Sequence, residues 1–193
     1  MPIETILLFL ITDLAFCFTP GPATMVTVSH ALPPAPAGGF RGAAGPIMGI
    51  HAGNCIWYAL TAFGLIALIQ AAPTLYGALR WAGVVYLLWM GARMLWQGAN
   101  ALSVTQGQTA NFWRGFRGGL AVHMANPKAM IFYAAFIPQF IDPARDLAVQ
   151  FLILAGITVV TESAGLLFYT ALASGARRFA TSGSAVTRMQ RLS

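Results

Sequence analysis

Thr19-Pro20-Gly21-Pro22 and Asn126-Pro127-Lys128 each interrupt a long apolar run, and the reading of the whole chain starts from these two interruptions. A proline inside a helix removes the hydrogen bond to the carbonyl four residues back, so Pro20, Pro22 and Pro127 release the oxygens of Phe16, Phe18 and His123. In hydrocarbon those oxygens need partners from protein or trapped water. Two broken helices at matching places in two halves of a chain point to a transporter whose binding site lies near the membrane midplane.

The membrane reading rests on composition. The 193 residues are 58% hydrophobic and 8% charged, with a mean hydropathy of +0.69, whereas a domain that folds in water carries about a quarter charged residues. A helical crossing needs roughly 20 apolar residues, which predicts five spans: Ile3 to Val28, Ala43 to Ile69, Leu75 to Leu95, Gly118 to Ile141 and Leu147 to Ser174. The runs lack the alternating polarity of barrel strands. Met1-Pro2-Ile3-Glu4 sets no basic residue ahead of the first run, so that run is expected to stay as a mature span and not to be cleaved as a secretion signal. Phe16 directly before Cys17 argues against lipidation there.

Eight of the eleven basic residues fall on one side of this arrangement: Arg41, Arg93, Arg114, Arg117, Arg177, Arg178, Arg188 and Arg191. Basic residues favour the cytoplasmic face, which predicts an outside N-terminus and a cytoplasmic middle loop. The same bias accounts for the net charge of +6 without a nucleic-acid partner. Residues 97–111 are polar, uncharged and linker-like. They divide the chain into a first repeat of three spans (1–96) and a second of two spans with a basic tail (112–193). A shift of 105 positions lays Gly21-Pro22-Ala23-Thr24-Met25 on Asn126-Pro127-Lys128-Ala129-Met130. Arg191-Leu192-Ser193 echoes Arg80-Trp81-Ala82 at the entry to the third span. The expected fold is therefore an all-α membrane protein of 3+3 inverted-repeat type, with five spans present and the sixth missing.

The ordered set Thr19-Pro20-Gly21-Pro22, Gly45/Gly49/Gly53, Ala82 to Gly91, Ala125-Asn126-Pro127-Lys128 with Phe132, and Pro138-Gln139-Phe140 closely resembles the LysE/RhtB family of amino-acid exporters. The resemblance covers essentially the whole chain. It implies a small carrier in the bacterial inner membrane that exports amino acids or derivatives such as threonine, homoserine or lysine in exchange for protons. Family members commonly run about one helix longer, in line with the missing sixth span, and they tend to carry an acidic residue at the place of Glu162.

Intramembrane ionisable groups are costly, which makes Asp13 and Glu162 candidate ligands for a proton or a substrate amine. Thr158 lies one turn before Glu162 on the same face, and Thr161 and Ser163 adjoin it. Lys128 has two readings, contact with a substrate carboxylate or snorkelling to the surface. The half-helix after Pro22 offers N–H groups to a carboxylate, the released carbonyls suit an ammonium, and Asn126 can donate or accept. Gly45, Gly49 and Gly53 share one helix face and allow close approach, first within the protomer and second in a homodimer. Cys17 and Cys55 read as small buried hydrophobes, and His30, His51 and His123 as polar packing residues without metal-ligand spacing. Trp57, Trp81, Trp89, Trp96 and Trp113 lie largely toward span ends, as interfacial anchors do. The expected partners are an amino acid, protons and lipid, with no cofactor. A membrane enzyme using Asp13 and Glu162 as a carboxyl pair is the rival reading, and a cation carrier or channel is the other.

Overall fold

The computed structural model describes residues 1–33, 37–72 and 111–181, together with positions 74, 75, 77, 78, 81 and 85. Apart from those scattered positions, the expected third span lies outside the described residues. So do the linker before Asn111 and the Arg191-Leu192-Ser193 echo. Among the described residues every regular element is helical.

Helix α1 (Ile3–Cys17) ends at Phe18, and α2 (Pro22–Ala31) begins after the Thr19-Pro20-Gly21 break, bent by 57° from α1. Helix α3 (Gly39–Ala71) contains the whole of the second expected span, and its start uses Gly39 at φ +66°, a left-handed conformation that glycine adopts without steric cost. Helix α4 (Phe112–Met124) begins six residues before the expected start of the fourth span, with Asn111 capping it by accepting from the Arg114 N–H at 3.1 Å. After the second break come α5 (Pro127–Ile131), a π-helical turn (Phe132–Phe136) and a 3-10 turn (Ile137–Phe140), bent from α4 by 53°. Helix α6 (Leu147–Thr181) runs well past the expected end of the fifth span.

Among the described residues one helix, Leu147–Ala176, is by itself long and apolar enough to cross a membrane, and there are up to three such spans if each bent pair is one span. Apolar side chains such as Leu8, Phe63, Leu152 and Val160 are exposed, as a surface facing lipid requires. Trp113 is likewise exposed near the start of α4, as an anchor would be, but Trp57 lies mid-way along α3, stacked on Tyr133. Trp57 is therefore a packing residue, because the π-helical turn brings Tyr133 beneath it.

The helix directions follow from the contacts. Asp13 meets Thr161, a Cβ at Gly165 would lie 3.1 Å from the Cys17 carbonyl, and Tyr169 donates to the Phe18 carbonyl, so α1 and α6 run in the same sense. Gly45 faces Phe112, Gly49 faces Phe116 and Gly53 faces His123, which makes α3 and α4 parallel. Between α3 and α6 the order reverses: His51 with Ser163, Asn54 with Glu162, Tyr58 with Thr158.

The glycine ladder works within the chain. A Cβ at Gly49 would lie 2.0 Å from the Phe116 carbonyl oxygen, and one at Gly119 would lie 2.3 Å from that of Pro46. Glycine on both faces lets the two backbones approach closely, which is how helices associate where lipid removes the hydrophobic driving force. On the other side of the bundle Phe9, Phe16, Phe132, Phe136 and Phe140 form one aromatic cluster between α1 and the irregular turns after α5.

Candidate functional site: a polar cavity between two broken helices

Each carbonyl released by a proline has a partner. The Phe16 oxygen accepts from the Thr19 N–H at 3.2 Å and from the Lys128 ammonium at 2.6 Å. The Phe18 oxygen accepts from the Tyr169 hydroxyl at 2.6 Å, and the His123 oxygen from the Asn126 N–H at 3.2 Å. Lys128 also donates to the Thr19 carbonyl at 2.7 Å and sits 4.4 Å from the centre of the Phe16 ring. Its ammonium thus neither snorkels nor stands open toward the cavity as a lone charge; it runs from the second break into the first. There it meets the carbonyl-rich end of α1, the favourable place for a cation.

Asn126 serves the second break in the complementary way. Its side-chain oxygen accepts from the Lys128 N–H at 3.0 Å, capping α5, and the residue is buried. Helix α2 has Gly21 as its N-cap and no side-chain cap, so the first-turn N–H groups of Ala23 and Thr24 have no intrahelical acceptor.

A cavity of about 50 Å³ lies between the breaks. Asp13, Gly21, Asn126, Lys128 and Glu162 line it. Of the other residues marked from sequence, Thr19 supplies a carbonyl to Lys128, Pro22 and Pro127 open α2 and α5, and Pro20 lies in the break itself. At one probe sphere of roughly 10–15 Å³ per water, the space holds a few waters.

Both acids are held by neighbours. Asp13 is fully buried and accepts from the Thr161 hydroxyl at 2.5 Å, with Cys17 Sγ at 3.7 Å. Glu162 accepts a hydrogen bond from Asn54, whose own oxygen accepts from the Tyr133 hydroxyl at 2.9 Å. His51 Nδ1 lies 3.9 Å from the Glu162 carboxyl, and its Nε2 lies 2.9 Å from Ser163 Oγ. Tyr58 and Thr158 share a bond of 2.8 Å nearby.

Sequence reasoning missed Asn54, His51, Tyr58 and Tyr133 as parts of the site. A signal existed for the first three. His51, Asn54 and Tyr58 fall three and four apart, which is a polar stripe on one face of an apolar span. Tyr133 gave none, because its direction depends on the π-helical turn. Among the described residues no three His, Cys, Asp or Glu side chains gather as a metal site would require.

Two bent helix pairs meeting at a polar cavity inside an apolar bundle define a helical membrane protein with an internal polar cavity. The chain belongs to the LysE type translocator family, whose model it matches over residues 14–192. An uncharacterized membrane protein of Vibrio cholerae is 34% identical over the whole of this chain and 92% of its own length. A homoserine/homoserine lactone efflux protein of Salmonella typhi is 33% identical over 86% of this chain and 78% of its own. A leucine efflux protein of an Enterobacter species is 33% identical over 70% of this chain and 64% of its own. No solved structure matches.

Proposed function

We propose that this protein exports amino acids or their derivatives across the bacterial inner membrane in exchange for protons, with Glu162 as the proton-carrying group. The observation that carries the reading is the meeting of the two breaks at one cavity, with Lys128 of one break bonded to carbonyls of the other. A zwitterion finds both of its complements there. Asp13 and Glu162 suit an ammonium, and the uncapped first turn of α2 suits a carboxylate. Efflux of homoserine and of leucine by the named relatives supports the amino-acid class.

Proton exchange rests on Glu162 and its surroundings. An intramembrane acid is expensive when charged and unpaired, so a cycle that loads it alternately with a proton and with a substrate amine suits antiport. Asn54 holds the Glu162 carboxyl, and His51 and Ser163 lead away from it along the α3–α6 interface, an imidazole and a hydroxyl that can pass a proton on.

The halves fit an inverted repeat. With α1 and α6 in one sense and α3 and α4 in the other, the first half reads down then up and the second up then down. The parallel direction of α3 and α4 is compatible with the expected span Leu75 to Leu95, which lies almost wholly outside the described residues. An outside N-terminus follows from the basic-residue bias.

The test is a growth panel of single amino acids and dipeptides, supplied in toxic excess to cells with and without the gene. Resistance to particular amino acids, with the unchanged compound appearing in the medium, supports export. Chemical conversion of the compound, or resistance to metal cations alone, contradicts it.

A further inference from the structure

We propose that His123 reads the side chain of the carried solute and selects solutes whose side chain ends in a hydrogen-bonding group such as a hydroxyl. The proposal rests on the export reading above and adds to it a specificity-determining residue.

His123 closes the last turn of α4, just before the second break, and lines the cavity. It is 4% exposed, and neither ring nitrogen has a hydrogen-bond partner. A buried polar group left unpaired is costly and calls for an explanation in a native fold. Several other polar side chains that line the cavity already have partners: Asp13 has Thr161, Glu162 has Asn54, Asn54 also has Tyr133, and Lys128 has two backbone carbonyls. His123 therefore keeps hydrogen-bonding capacity that a guest in the cavity can use.

The ring cannot easily turn elsewhere to find a partner. A Cβ at Gly53 would lie 2.7 Å from its Cδ2, so α3 closes one side, and the Tyr133 ring stands against it at 6.4 Å and 76°. A fixed imidazole is a preorganised one. In its neutral form it presents one donor and one acceptor, which matches a hydroxyl, itself both donor and acceptor. Water can take the place in the empty carrier. A solute hydroxyl replaces that water without loss, whereas a methyl group displaces it and leaves the ring unpaired.

The matched probes are homoserine and norvaline, which differ by a terminal hydroxyl against a methyl. Export of the two is compared in cells carrying the wild type, His123→Leu and His123→Gln. The wild type should prefer homoserine by about tenfold or more, because a site built around a hydrogen bond discriminates against the analogue lacking it. His123→Leu should bring the ratio to about one or below by losing homoserine export while keeping norvaline export. His123→Gln, whose amide also donates and accepts, should keep part of the preference. An unchanged ratio in His123→Leu overturns the proposal, and so does an equal loss of both solutes. Should His123→Leu fail to reach the membrane, nitrogen-15 spectra of the wild type decide. Homoserine, but not norvaline, should shift the resonances of one of the three histidines, the one absent from the His123→Gln spectrum. No shift there overturns it. Export of neither solute by the wild type, with no amino acid rescued in the growth panel, brings down the export reading itself.

Discussion

A lysine ammonium inside an apolar bundle must be surrounded by acceptors, and Lys128 finds two backbone oxygens and an aromatic face at the end of α1. Hydrogen bonds to a charged group contribute about 1.5–3 kcal/mol each. Lys128→Met should therefore lower the thermal stability of the purified protein clearly, while Met130→Leu, at an exposed neighbour, should leave it nearly unchanged. Equal melting of the two variants would contradict the role given to the ammonium. The residues of the two breaks were legible because proline chemistry is local: the three oxygens released by Pro20, Pro22 and Pro127 can be named from the sequence. Their partners were not legible. Lys128 reaches Phe16 across 112 positions and Tyr169 reaches Phe18 across 151, pairings set by helix packing that leave no mark on either segment. The two acids were visible as charges in apolar runs, yet the partners that hold them, Thr161 and Asn54, come from α6 and α3 respectively.

Among the elements, the contact of α3 with α4 sets how far apart the first and second halves stand. Gly45, Gly49 and Gly53 could be read as a packing face from their spacing of four, but the facing glycines Gly115 and Gly119, and Pro46 wedged between them, were not singled out. Gly49→Ala puts a methyl 2.0 Å from the Phe116 carbonyl oxygen and should cost about 1–3 kcal/mol by overpacking. Gly118→Ala, on the open side of α4 with nothing within 4 Å, should be neutral or stabilise by roughly 0.5–1 kcal/mol. Melting curves of the two variants in detergent measure the difference. Similar effects from both would mean that the backbones of α3 and α4 do not meet at Gly49. The bend after α4 was expected from Pro127 alone. The π-helical and 3-10 turns that follow it had no counterpart in the sequence reading, since such turns depend on what packs against Phe132 to Phe140.

At the scale of the whole molecule, the proposed export combines one orientation in the membrane with a proton-coupled cycle. The proposed outside N-terminus predicts that Ser103→Cys resists an impermeant thiol reagent in intact cells and reacts once the cells are opened. Labelling in intact cells would reverse the orientation. The proposed coupling of export to protons is tested in reconstituted vesicles that hold a pH gradient, with labelled homoserine as the solute. The wild type should drive homoserine against its own gradient, and a protonophore should abolish that accumulation. Glu162→Gln should insert normally but lose the gradient-driven component, because an amide cannot take up and release a proton, and Glu162→Asp should retain part of it. Accumulation by Glu162→Gln that follows the pH gradient as the wild type does would contradict the assignment of the proton to Glu162.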